Sequence, residues 1–222
     1  MVTVRQERPG EAAVREALLD LAYGPARFTK TSERLRKGRA PELALVASEG
    51  RRIVGTVRLW SVKFPLPQAG EGKGGGALLL GPLAVHPDCR DRGIGSTLVQ
   101  HALRQAARRG HCAVLLVGDA PFYARFGFSS EKTGALSLPG PYERHRLLGL
   151  ELQPGALDGA RGLISTPAAH TKARGSRVAT VASGELSCVK SVLAPNWAIQ
   201  KSVTTMTATR CFRESAIGAN AS

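Results

Sequence analysis

The stretch LLLGPLAVHPDCRDRGIGSTLVQHAL, Leu78 to Leu103, decides the fold. It opens as an almost unbroken apolar run that stops at His86-Pro87, the pattern of a central strand covered on both faces. From Ile94 the apolar positions become Leu98, Val99, Ala102, Leu103 and Ala106, with Gln100, Arg104, Arg108 and Arg109 on the other side. That is the stripe of an amphipathic helix. Between the two lies a charged turn with Arg90, Arg92, Gly93 and Gly95. A strand that ends in a helix start leaves backbone N–H groups unpaired, and the helix dipole adds partial positive charge there. Glycines let an anion come close to those amides, and arginines offer forked donors that suit phosphate oxygens. The junction therefore reads as a pyrophosphate site.

One irregularity sits inside the strand. Pro82 cannot donate to a ladder, so the strand is expected to be bulged or splayed at Gly81-Pro82. The dinucleotide fingerprint G-x-G-x-x-G does not apply, because its third glycine is Leu98 here and no acidic residue ends a strand about 20 residues on.

Working outward, VTVRQ alternates as a short strand. GEAAVREALLDLAYG places Val14, Leu18, Leu21 and Ala22 at helical spacing, and Gly24 suits the helix stop. KTSERLRKG is a second, polar helix ending near Gly38. ELALVAS and RRIVGTVRLWSV form a hairpin pattern that turns at Gly50. PLPQAGEGKGGG is a loop. After the central helix, CAVLLVG is another buried strand, and strand–helix–strand implies a parallel pair. APFYARFGF reads as a short helix leading to an aromatic strand start, and RHRLLGLEL as a final strand. From about Thr166 the chain turns basic and rich in Ala, Ser and Thr, with no sustained period.

The chain has 222 residues and a net charge of +14. The excess is spread along the sequence, which suits an anionic ligand more than a nucleic-acid patch of clustered cations and aromatics. The four cysteines show neither C-x-x-C nor a His-rich partner pattern, so no metal is expected. MVTVRQERPG has no signal-length apolar stretch, and no run approaches the ~20 residues of a membrane span. A cytoplasmic protein without a membrane partner is expected, monomer or homodimer.

VHPDCRDRGIGSTLV resembles the acyl-CoA-binding motif [Q/R]-x-x-G-x-[G/A] of the GCN5-related N-acetyltransferases, through Arg90, Gly93 and Gly95. GDAPFYARFGF resembles the same family's Y-x-x-x-G-F element, through Tyr123, Gly127 and Phe128. The short entry to Tyr123 and LLGLEL resemble the YhbS-like branch. The resemblance covers residues 1–153 and implies an α/β fold with a central mixed sheet, splayed at a bulge and flanked by helices. Residues 154–222 are then a basic, loosely attached tail. The resemblance further implies acetyl-CoA as co-substrate and an unidentified amine as acceptor. Leu83, Ala84 and Val85 would run along the pantetheine arm. Arg90, Asp91, Arg92, Gly93, Ile94, Gly95 and Ser96 would take the pyrophosphate. Tyr123 is the implied general acid, and Asp119, at the next strand end, is a candidate base. TKTSERL is another place from which a base could come. A nucleic-acid binder, or a sensor that keeps the fold without turnover, is the alternative. The acceptor pocket is expected from Thr29–Lys37, the Gly-rich loop and SLPGPYERH.

Overall fold

A computed structural model describes residues 1–66 and 75–167 of the chain. Its strands are β1 (Val2–Gln6), β2 (Leu43–Glu49), β3 (Arg52–Phe64), β4 (Gly75–Val85), β5 (Ala113–Val117), β6 (Leu136–Ser137), β7 (Leu147–Glu151) and β8 (Gly162–Leu163). Six of them form one sheet in the order β1-β2-β3-β4-β5-β7, and β6 pairs with β8 separately. Every pair in the large sheet is antiparallel except β4–β5, which is parallel as a strand–helix–strand unit requires.

The sheet is covered on both sides because its strands are apolar on both sides. Leu78 and Leu80 of β4 pack in one cluster with Leu98, Val99, Ala102 and Leu103 of the helix α3 (Ile94–Arg108), numbered after two helices nearer the N-terminus. Leu79 and Ala77 alternate to the other face and join Trp60, Leu115 and Leu147. There the first helix, α1 (Ala12–Tyr23), contributes Leu18 and Leu19 against Val46, Ile53 and Ala84. Gly24 ends α1 with φ 66°, in the left-handed region that favours glycine.

Four expectations are corrected. The α1 stripe is rotated: Val14 and Leu21 are 52% and 56% exposed, while Arg15 is turned inward at 7%. The cause is Glu7, just past the end of β1, whose side chain is 8% exposed and takes both Arg15 and Arg58. The second helix, α2 (Thr31–Arg34), is one turn long and does not run to Gly38. It is held across the fold by Thr31 donating to the Pro141 carbonyl and Arg34 to that of Pro139. After the buried Phe128 no strand begins; Ser129 makes a lone bridge to Gly149. Finally, packing does not stop at residue 153. Leu157 and Ile164 are 2% and 0% exposed, and Ser165 exchanges two backbone hydrogen bonds of 2.9 Å with Lys63. The folded body thus runs on through residue 167. The rest of the expected tail, and residues 67–74 of the Gly-rich loop, lie outside the described residues.

Candidate active site

The site begins where the sheet comes apart. Val57 pairs with Leu83 and Leu59 with Leu80, so Arg58 alone stands opposite both Gly81 and Pro82. That two-against-one register is a β-bulge, placed where the proline required it. Pairing of β4 with β5 covers only Leu78–Leu80 against Val114–Leu116. Past those three rungs the two strands part. The His86 N–H donates to the Val54 carbonyl at 2.8 Å. Antiparallel alternation then turns the polar groups of Ala84 toward β3 and those of Leu83 and Val85 into the gap. The Tyr23 hydroxyl, at the end of α1, donates to the Leu83 carbonyl from that side. The Ala84 side chain is buried under α1 and its polar groups face β3, so Ala84, expected along the pantetheine arm, presents nothing to the gap.

At the far end of β4 the chain turns into α3 through Gly93, whose φ of 71° is left-handed. The first intrahelical bond runs from the Thr97 N–H to the Gly93 carbonyl at 3.0 Å. The amides of Ile94, Gly95 and Ser96 precede it and have no acceptor in the helix. These three residues line a cleft of about 460 Å³, with Leu83, Val85, Arg90, Asp91, Gly93, Phe122 and Arg125. A Cβ on Gly95 would sit 3.7 Å from both Phe122 and Val85, so glycine keeps this floor open. The Arg92 side chain is not part of the cleft. It pairs with Glu49 at 2.7 Å on the β2–β3 hairpin, away from the start of α3.

A second, smaller cleft of about 90 Å³ shares Leu83 with the first. One wall is Leu79 to Leu83 with Val117 and Tyr123; the other is Tyr23, Arg27, Lys30, Ser32, Glu33 and Arg36. Tyr123 stands on the short helix α4 (Ala120–Ala124), which starts where β5 ends. The Asp119 carbonyl accepts from the amides of Phe122 and Tyr123 at 3.1 and 3.2 Å and fixes that turn. The Tyr123 ring is held edge-to-face by Phe122 at 4.9 Å and Phe128 at 5.8 Å. It lies so close over Gly118 that a Cβ there would overlap it. Burial pushes the Tyr123 phenol well above the ordinary tyrosine value; Tyr23 and Asp119 push the same way, and Arg146 opposes them. A phenol in that state keeps its proton at neutral pH. Burial also raises Tyr23, against the pull of Arg36 and Arg90.

Of the expected site residues, Tyr123, Leu83, Val85, Arg90, Asp91 and Gly93 to Ser96 line the two clefts, whereas Ala84 and Arg92 line neither. Asp119 is exposed and lines neither cleft. Glu33, inside the stretch TKTSERL, is the one carboxylate lining the smaller cleft. Residue patterns did not point to Tyr23, Phe122 or Arg125. Each is a single side chain that the topology carries to the gap, and none carries a periodic signal.

Comparison with known proteins agrees with this geometry. Residues 13–128 match the model of the acetyltransferase (GNAT) family. The curated protein "Uncharacterized N-acetyltransferase YhbS" of Escherichia coli K12 is 28% identical over 162 residues, 72% of this chain and 93% of that protein. The crystal structure of E. coli YhbS in complex with CoA superposes with a TM-score of 0.63 at 27% identity, covering 75% of this chain and 89% of that one. A GNAT family acetyltransferase from Brucella melitensis, in complex with acetyl-CoA, superposes with a TM-score of 0.56 at 26% identity, covering 76% and 97%. A sheet split after a bulge, an uncapped helix start and a tyrosine across the gap are thus found in a chain that belongs to the GNAT family of acetyltransferases, as a YhbS-like member.

Proposed function

We propose that the chain transfers an acetyl group from acetyl-CoA to a primary amine, by direct attack with both reactants held together. The observation that carries this reading is the gap between β4 and β5, open at one end on unpaired helix amides and at the other on Tyr123. CoA and acetyl-CoA in the E. coli and Brucella structures support it. The residues present fit the co-substrate. The amides of Ile94, Gly95 and Ser96, with that of Arg92, take the pyrophosphate, and the Arg90 side chain, free of ion pairs among the described residues, adds charge. The outward groups of Leu83 and Val85 pair with the pantetheine arm, the Leu83 carbonyl exchanging the Tyr23 hydroxyl for it.

The thioester supplies the activated acetyl group. An outward N–H on β4 faces the oxygen where negative charge develops; one such donor is worth about 2.7–4 kcal/mol in acyl transfer. Tyr123 gives its proton to the departing sulfur. Glu33, within the acceptor cleft, draws the ammonium in and takes its proton, a role that the exposed Asp119 is poorly placed to fill. Orientation of two bound reactants supplies the rest of the rate.

The test is calorimetry with acetyl-CoA followed by thiol release with a panel of primary amines. Tyr123→Phe is expected to keep acetyl-CoA affinity and lose turnover about 10²-fold or more, the usual worth of a positioned acid. Undiminished turnover in that variant overturns the acid assignment, and failure of the chain to bind acetyl-CoA at millimolar levels overturns the whole reading.

A further inference from the structure

We propose that the acceptor amine carries its own anionic group, a carboxylate or a phosphate, which Arg36 and Lys30 hold in the smaller cleft. The proposal rests on the acetyltransferase reading and adds the substrate class to it. The acceptor wall is unusually cationic for a site that must admit an ammonium. Three of its side chains are basic: Arg27, Lys30 and Arg36. Arg27 is occupied by Glu16 and by Asp20 at 2.8 Å. Lys30 makes no ion pair among the described residues; its Nζ lies 4.6 Å over the ring of Tyr23. Arg36 is buried at 7% exposure. Its Nε donates to the Ser32 carbonyl at 3.1 Å, its Nη2 donates to Ser32 Oγ at 2.8 Å and lies 3.3 Å from Glu33. Its Nη1 has no hydrogen-bond acceptor among the described residues, and it faces the bulge: a Cβ on Gly81 would lie 3.6 Å from it.

A buried guanidinium with part of its fork unmatched is costly to keep, so a ligand that completes the fork is strongly favoured. Lys30 and Arg36 also repel a bare ammonium. Burial depresses Lys30 below the ordinary lysine value, and the neighbouring cations Arg146 and Arg36 add to it in the same direction. Glu33 is the single lining group that can balance an ammonium. The two ends of the acceptor are sorted accordingly, the amine beside Glu33 and Tyr123, the anion on Arg36 Nη1 and Lys30. Both ends bind in this one small cleft, of about 90 Å³, so amine and anion belong to one short acceptor.

Matched amines test this by thiol release: phosphoethanolamine against ethanolamine for a phosphate, and β-alanine against propylamine for a carboxylate. The anionic member of at least one pair is expected to have a kcat/KM about tenfold higher or more, that is, at least ~1.4 kcal/mol of discrimination. Arg36→Gln is expected to collapse that ratio toward one, mainly by raising KM for the anionic member. Lys30→Met, at the rim and outside the packed core, is expected to do the same in smaller measure and guards against a folding defect at Arg36. If the neutral members react as well as the anionic ones, the proposal is wrong while the acetyltransferase reading stands. Should none of these amines react, phosphate and acetate titrated into the CoA-bound chain read the same site without chemistry. Binding lost in the Lys30→Met, Arg36→Gln double variant supports the proposal; no binding of either anion at millimolar levels overturns it. A chain that fails to bind acetyl-CoA at all sinks the acetyltransferase reading instead.

Discussion

Tyr123 shows what one residue gains from its surroundings. Its raised pKa has burial as its main cause and the neighbouring Asp119 as one contributor in the same direction. The sign matters for catalysis. An acid that must be protonated loses activity when the pH rises through its pKa, so raising that pKa moves the alkaline fall of kcat upward. Asp119→Asn removes a negative neighbour and eases ionisation of the phenol. The alkaline fall is therefore expected to begin at lower pH in that variant, with kcat at neutral pH changed less than about tenfold. Glu33→Gln is expected to lower kcat at neutral pH by about 10²-fold instead. A pH–rate profile separates the two, and a loss in Asp119→Asn as large as in Glu33→Gln returns the base to Asp119. The sequence motif pointed to Tyr123. It was silent on why the ring stays put, because Gly118 looks like any turn glycine until the ring is seen to lie on it.

At the scale of elements, the strand–turn–helix junction was legible because each of its signals has a local cause. Proline breaks a ladder, glycine opens a left-handed cap, and periodicity changes from strand to helix. The same locality yields a prediction. Gly95 does not have a left-handed φ, so a side chain there is not strained by its backbone, yet it would enter the cleft floor between Phe122 and Val85. Gly95→Val is expected to weaken acetyl-CoA binding about tenfold or more, and to leave the thermal midpoint nearly unchanged. Calorimetry and a melting curve on the same sample check both halves. The orientation of α1 was not legible, since the helix pattern alone could not show that Arg15 would be drawn inward by Glu7, just past the end of β1. The start of that helix is pinned similarly. Arg5 at 2.6 Å, and then the Arg8 N–H at 2.7 Å, hold the Glu11 carboxyl down to about 2 from an ordinary 4.5. A carboxyl depressed on folding stabilises the fold above its ordinary range and loses that effect as pH falls. The thermal midpoints of the natural chain and Glu11→Gln should thus differ most at neutral pH and converge between 4.5 and about 2. A constant gap across that range would show that the pair contributes nothing through ionisation.

For the whole molecule, the order of elements gave a hairpin and a parallel pair, the motifs' resemblance to the family implied the mixed sheet flanked by helices, and neither showed where the body ends. The segment after Gln153 has no motif and no long period. Its role appears only in three dimensions, where Leu157, Ala160 and Ile164 fill the cluster built by Trp60, Phe64, Leu115 and Leu147. That cluster lies on the face of the sheet that also carries Leu35, next to the α2 wall of the acceptor cleft. Removing residues beyond 153 strips away two large side chains that are almost fully covered. Each is worth about 1.5–3 kcal/mol of burial. The antiparallel bridge of Ser165 to Lys63 and the β6–β8 pair go with them. The combined loss is about 3–6 kcal/mol from burial alone, against a total stability of about 5–15 kcal/mol for a domain of this kind. A chain cut after Gln153 is expected to be unfolded or barely folded in urea titration. A chain cut after Pro167, which keeps every one of these contacts, is expected to hold a midpoint close to that of the full chain. Equal midpoints for the two cut chains would show that this last segment only rests on the surface. A loss of stability in the longer one would mean that residues beyond 167 complete the core.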